Sequence, residues 1–312
     1  MGDEVVADGD APAGRDVDVE LLTRAPALGP LIARAALGSL MPGKGASVPS
    51  LPQRRVMLAN QRVDPQRLAA FARVCGLTLR NELPATFIHV LTFPTQVQLM
   101  AAKDFPFSMV GMVHVANVMT LHRPVDVAET LTLTSWASNL APHSRGVSVD
   151  LMGQGCVGDE VVWEGRSAYL VRGASVSPDG TAGSEGHARA VVDEQAPPMK
   201  TWALWDCRDD LGRRYAAASG DVNPIHINPL AAKALGFPRA IAHGMWTHAR
   251  ALGAFEGRLG DRHTVEVSFR KPIVLPSRVA FRATETEAGY AFAVTNRGGD
   301  REHMTGTTST VF

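Results

Sequence analysis

The stretch Tyr215 to Met245, YAAASGDVNPIHINPLAAKALGFPRAIAHGM, holds a carboxylate, Asp221, and an imidazole, His226, five residues apart. No regular helix can run through both. Gly220 admits dihedrals closed to other residues, and Pro224 pushes Asn223 out of the helical region. The spacing predicts an ordered loop from Ser219 to Asn228 with two titratable side chains held inside it. A short helix from Pro229 to Leu235, a Gly-Phe-Pro turn and the apolar Ala240-Ile241-Ala242 follow, and His243-Gly244 opens a longer helix. The first N–H groups of a helix lack internal partners and point outward with the positive end of the macrodipole. A glycine there lets a ligand oxygen approach the backbone, so this helix start can hold an anion or a developing oxyanion. An acid/base pair followed by an oxyanion donor suits chemistry beside a carbonyl.

Beyond this stretch, Met245, Ala249, Leu252, Phe255 and Leu259 recur at near-helical spacing as a buried stripe. Clean alternation then predicts a strand over Thr264–Arg270, with further strands over Arg278–Glu285, Tyr290–Thr295 and Met304–Phe312. Trp202 to Asp206 reads as a short strand ahead of the signature stretch.

The first half follows the same order. Arg54 to Gln61 can start a strand, and Asp64-Pro65 caps a helix that ends near Gly76. Thr86 to Met100 reads as a long apolar helix interrupted by Pro94; Thr130–Thr134, Gly146–Leu151 and Glu160–Val171 read as strands. Three segments superpose on the second half. Phe71–Gly76 matches Tyr215–Gly220 at an offset of 144, Pro84–His89 matches Pro238–His243 at 154, and Met119–Val125 matches Val267–Ile273 at 148. The chain therefore divides into a disordered 1–18, a first repeat over 19–171, a Pro/Gly/Ser-rich linker over 172–198 and a second repeat over 199–312. The fold class is α+β: twice over, a long helix wrapped by an antiparallel sheet. Asp221 falls opposite Leu77, which cannot polarise water, so the first repeat lacks the acid/base pair. His89 falls opposite His243 at the offset of 154.

The quoted stretch resembles the signature of the MaoC-like, R-specific enoyl-CoA hydratase family (hydratase 2). That signature is an aromatic residue, small residues, S/T-G-D-x-N-P-x-H and a downstream H-G-M. Here it stands as Tyr215, Ser219-Gly220-Asp221-Val222-Asn223-Pro224-Ile225-His226 and His243-Gly244-Met245, with no departure. The resemblance implies a double hot-dog fold and a lyase that interconverts trans-2-enoyl and (3R)-3-hydroxyacyl thioesters. It implies that Asp221 and His226 grip one water that supplies both the hydroxyl and the returning proton, and that the Gly244 N–H donates to the thioester carbonyl. Asn223 is expected to orient the loop, Ser219 to cap it or bond Asp221, His243 to shape the turn and Tyr215 to pack beneath. In double hot-dog relatives the degenerate half makes room for the acyl chain. Phe87, Val90, Leu91 and Phe93 could line such a tunnel; core packing is the plainer alternative. No metal and no cofactor are expected beyond the substrate's carrier, which is coenzyme A or the pantetheine of an acyl carrier protein. Hydrolysis of the thioester and non-catalytic acyl-thioester binding are the rival functions.

Composition agrees with a folded, soluble, cytoplasmic protein. The chain has 312 residues, 45% hydrophobic and 20% charged, with 31 basic and 31 acidic side chains. That balance favours neither nucleic acid nor an acidic membrane face. Three scattered cysteines suit neither a disulfide framework nor a zinc site. The N-terminus has no basic and apolar signal pattern. Leu21 to Met41 is too interrupted for stable membrane insertion and reads as an amphipathic helix, lying on the protein body or, as the alternative, at a membrane interface. One double chain can already form the paired hot-dog unit, which leaves monomer and homodimer both open.

Overall fold

A computed structural model of the chain describes residues 18–32, 49–109, 111–175 and 198–310. In the first half, β1 (Val19–Leu22) and β2 (Arg55–Gln61) precede α1 (Pro65–Cys75) and α2 (Ala85–Met100). Four strands follow: β3 (Met112–Leu121), β4 (Leu131–His143), β5 (Gly146–Val157) and β6 (Glu160–Arg172). The second half runs β7 (Lys200–Cys207), α3 (Leu211–Ser219), α4 (Pro224–Ile227), α5 (Pro229–Ala234) and α6 (Gly244–Gly253). It ends in β8 (His263–Phe269), β9 (Ser277–Thr286), β10 (Gly289–Asn296) and β11 (Glu302–Thr310).

Local chemistry explains several boundaries. The Asp64 side chain accepts from the Gln66 N–H, Pro65 takes the first helical position, and Gly76 closes α1 in the left-handed region at φ 65°. Gly220 closes α3 in the same way at φ 84°. α2 differs from expectation: it runs unbroken through Pro94. A proline inside a helix costs about 3 kcal/mol or more, but every α2 residue except Phe93 and Gln98 is buried, and that packing outweighs the cost.

The strands form one eleven-stranded sheet in the order β1-β2-β4-β5-β6-β3-β8-β11-β10-β9-β7. Among the described residues only β1 and β2 pair in parallel. On either side of the β3–β8 seam the order β3-β6-β5-β4-β2 is matched by β8-β11-β10-β9-β7. At the seam Val118 lies opposite Glu266, its own equivalent at the offset of 148. A pseudo-two-fold therefore passes through that pair, and this is the double hot-dog arrangement. The main core runs across both halves: the Phe71 and Tyr215 rings, equivalent by the repeat, lie 6.0 Å apart. The Trp246 indole N–H crosses to the Val74 carbonyl at 2.9 Å.

The structure corrects the superposition of the long helices. Isolated bridges Glu82–Asp126 and Ile241–Val274 occupy the same place in each half. Pro84 and His243 are the two N-caps. The offset there is 159, so His89 corresponds to His248, and His243 corresponds to Pro84. Proline and histidine happen to recur at 154, which made the wrong register look right. The segment between the left-handed glycine and the long helix is 77–83 in one half and 221–242 in the other, fifteen residues longer.

Two other expectations change. Residues 19–22 are strand β1 and residues 28–32 are helical, so no continuous helix starts at Leu21; residues 33–41 lie outside the described residues, as do 1–17, 176–197 and 311–312. α6 stops at Gly253, so Phe255 and Leu259 of the expected stripe pack from the turn beyond it. Among the described residues no helix is long and apolar enough to cross a membrane.

Candidate active site

The fifteen-residue insertion carries the titratable groups. After Gly220 the chain is held by short-range bonds that its own side chains supply. The Asp221 N–H donates to Ser219 Oγ at 3.2 Å, and the Asn223 N–H donates to Asp221 Oδ1 at 3.1 Å. Asn223 then caps α4, its Oδ1 accepting from the Ile225 N–H, and Asn228 caps α5 through bonds from the Leu230 and Ala231 N–H groups. The expected loop from Ser219 to Asn228 thus contains one helical turn, Pro224–Ile227, because Pro224 suits a first helical position and Asn223 supplies the cap.

His226 sits on that turn. Its Nδ1 lies 2.8 Å from the Ile241 carbonyl oxygen. A carbonyl only accepts, so Nδ1 carries the proton and Nε2 keeps the lone pair. Burial lowers the His226 pKa, opposed by the Asp221 charge and the bond to Ile241. The His243 ring stacks on His226 with centroids 3.7 Å apart and planes at 25°. Its Nε2 donates to the Asp221 backbone carbonyl at 3.0 Å. His243 Nε2 also lies 3.8 Å from Asp221 Oδ2, with side-chain exposures of 2% and 27%. This is not an ion pair, since burial and the adjacent His226 hold His243 well below the ordinary histidine pKa. Tyr215, buried, supports His243 from below at 4.8 Å between rings.

Ligating atoms of Asp221, His226 and His243 come within 4.8 Å of one another. A metal must lie in the ring plane of each imidazole that binds it, about 2 Å from nitrogen. Two rings stacked 3.7 Å apart at 25° share no such point. The two imidazoles therefore cannot ligate one ion together.

Gly244 is the first residue of α6, whose start has no side-chain cap. A Cβ on Gly244 would fall 3.0–3.3 Å from the Phe269 ring. A side chain here would crowd that ring, a contact which the sequence alone did not reveal. Three further supports were invisible in sequence. Arg67, from α1 of the other half, donates to the Ala218 and Ser219 carbonyls at 2.9 and 2.8 Å, anchoring the chain just before Asp221. Ile241 orients His226 through its carbonyl. Gly212, on α3, lies so close to the His226 backbone that a Cβ would sit 1.9 Å from the carbonyl oxygen.

His89 lies on α2, outside this trio. Of the four candidate tunnel residues, Phe87, Val90 and Leu91 are packed into the main core. Phe93 is partly buried against the second cluster, around Val97, Leu99 and Tyr169.

Residues 192–306 match the family described as the MaoC like domain. The chain is 35% identical over 257 residues to 3-hydroxyacyl-thioester dehydratase X of Mycobacterium tuberculosis, spanning 82% of this chain and 89% of that one. It superposes on the crystal structure of HtdX from the same organism with a TM-score of 0.72 and 34% identity, over 83% of this chain and all of that one. Another M. tuberculosis protein, of stated double hotdog fold, matches at 13% identity and a TM-score of 0.50 over 88% of this chain and 98% of that one, a likeness of fold alone.

Proposed function

Because this chain belongs to the MaoC-like dehydratase family, we propose that it adds and removes water between trans-2-enoyl and (3R)-3-hydroxyacyl thioesters, with Asp221 and His226 as the acid/base pair. The observation that carries this reading is the fixed tautomer of His226. Its proton is held on Nδ1 by Ile241, which leaves Nε2 as the proton acceptor, and ligating atoms of His226 and Asp221 come within 4.8 Å, a separation that one water can bridge. In the hydration direction the water oxygen bonds C3 while the pair takes its proton. The electrons of the double bond shift onto the thioester oxygen, where the Gly244 N–H at the start of α6 stabilises the charge. The proton returns to C2 and the thioester carbonyl re-forms. Asn223 and Ser219 hold the loop, and His243 holds the stack behind His226. The pair acts on an acyl thioester whose pantetheine arm belongs to coenzyme A or an acyl carrier protein, and the chemistry calls on no cofactor. The first repeat, lacking the inserted loop, accommodates the acyl chain.

The test is hydration of trans-2-enoyl-CoA of short, medium and long chain, with chiral analysis of the product. The (3R)-3-hydroxyacyl product is expected. Release of free coenzyme A would replace this reading with a thioesterase. Inertness toward both coenzyme A and acyl-carrier-protein substrates would leave a binding subunit.

Gly212 gives a test of positioning. In Gly212→Ala the added Cβ meets backbone at 1.9 Å, so α3 or the His226 turn must move. A displacement near 1 Å costs about 10²-fold in rate, and overpacking costs about 1–3 kcal/mol. We expect both losses, read by steady-state hydration and thermal melts. Wild-type rate and stability together would contradict this contact.

A further inference from the structure

One face of α2 carries groups that hydrocarbon packing does not explain. Thr86, His89, Phe93 and Gln96 follow at helical intervals and share that face. Thr86, His89 and Gln96 are 1%, 3% and 1% exposed. Yet the Thr86 hydroxyl, His89 Nδ1 and both ends of the Gln96 amide have no hydrogen-bond partner among the described residues. The neighbouring elements repeat the pattern. The β3 ladder slips by one residue between His114 and Ala116, which puts His114 opposite Tyr169 and Asn117 opposite Ser167. Tyr169 and Ser167 share a face of β6, so the bulge brings His114 and Asn117 to one face where regular alternation would separate them. His114 Nε2 is unpartnered too, and His248 of α6, fully buried, has neither nitrogen bonded among the described residues.

These groups adjoin the proposed active site. His114 stacks on Tyr169 at 4.7 Å and lies 5.0 Å from the Phe269 ring, which covers Gly244. Burial pushes His89, His114 and His248 down to about 4, 3 and 3, and the charge of Asp221 bears on His89. All three are therefore neutral at pH 7, each offering one donor and one acceptor. A buried polar group left unsatisfied costs about 1–3 kcal/mol, and native interiors hold few of them. Here they gather on the wall between α2, β3 and α6 and next to the catalytic loop, while Phe87 and Leu91 on another face of α2 pack carbon to carbon.

We propose that this polar wall receives the acyl group, and that the acyl group it selects carries a hydroxyl or keto oxygen beyond C4 in place of a plain alkyl tail. The inference rests on the dehydratase reading above and names its substrate class. A site built to hydrogen-bond a substrate oxygen discriminates strongly against the analogue that lacks it.

The experiment compares three thioesters on the full chain: trans-2-butenoyl-CoA, trans-2-hexenoyl-CoA and 6-hydroxy-trans-2-hexenoyl-CoA. Wild type is expected to show kcat/KM at least about tenfold higher for the hydroxylated six-carbon substrate than for the plain one, equivalent to about 1.4 kcal/mol. In Gln96→Leu and in His114→Phe, which keeps a ring against Tyr169, that ratio is expected to fall toward one. A wild-type ratio at or below one, or a ratio unmoved in both variants, overturns the polar wall while butenoyl turnover leaves the reaction standing. If the butenoyl group is hydrated neither on coenzyme A nor on an acyl carrier protein, the dehydratase reading falls and this inference with it.

Discussion

Asp221→Asn is expected to lower hydration turnover by about 10²–10⁴-fold, the range for removing a positioned acid or base, without unfolding the protein. The substitution is nearly isosteric. The amide oxygen can still accept the Asn223 N–H that Asp221 Oδ1 accepts at 3.1 Å, and the bond from His243 goes to the backbone carbonyl, which is untouched. What is lost is the negative charge and the second proton-accepting oxygen. The rate should therefore fall while circular dichroism and the thermal midpoint stay near wild type. Ser219→Ala is the control on the same loop: it removes the Oγ that accepts the Asp221 N–H at 3.2 Å but leaves the carboxylate in place. A neutral hydrogen bond is worth about 0.5–1.5 kcal/mol, so its effect should be about tenfold or less. Turnover of Asp221→Asn within tenfold of wild type would remove Asp221 from the chemistry.

What could be read from sequence was what the chain decides locally. Asp64-Pro65 and Gly76 bound α1 by cap and dihedral chemistry, and the Gly-Asp-x-Asn-Pro run announced a constrained turn before any neighbour was known. The repeat was legible where sequence is dense in strand pattern, and the offset of 148 survives in the seam pairing of Val118 with Glu266. It failed where an insertion separated similar residues. Fifteen extra residues before α6 made Pro238 and His243 look like Pro84 and His89, and only the matching bridges at Glu82 and Ile241 fix the register. The supports of the site were not legible because they reach across the fold. Arg67 touches a carbonyl 152 residues away, and nothing near Gly212 in sequence foretells the His226 backbone against it. The polarity of the α2 face was hidden in plain view: an apolar helix reads as core, and Thr86, His89 and Gln96 stand out only once burial leaves them without partners.

The second large effect concerns His226 and its pH dependence. Burial holds the folded-state pKa of this imidazole below its ordinary 6.5, against the opposing Asp221 charge. The neutral ring, protonated on Nδ1, is the form that can accept a proton at Nε2. The rate of hydration should therefore be flat through pH 7 and fall only below pH 6.5, as the ring gains its second proton and loses the lone pair. Because Asp221 and His226 interact, that limb belongs to the pair. The same sign applies to stability: the unfolded chain takes up this proton at a higher pH than the folded one, so the contribution is present above 6.5 and is lost as pH falls toward the folded value. His226→Ala is expected to lose about 10²–10⁴-fold in turnover at pH 7. Its residual rate should lack the acidic limb, and its stability should fall less steeply with acid than that of wild type. The checks are kcat/KM from pH 5 to 8 and melting temperature over the same range. A structural histidine would lower the rate by the same factor at every pH and leave the limb in place; that outcome would take the proton-transfer role away from His226.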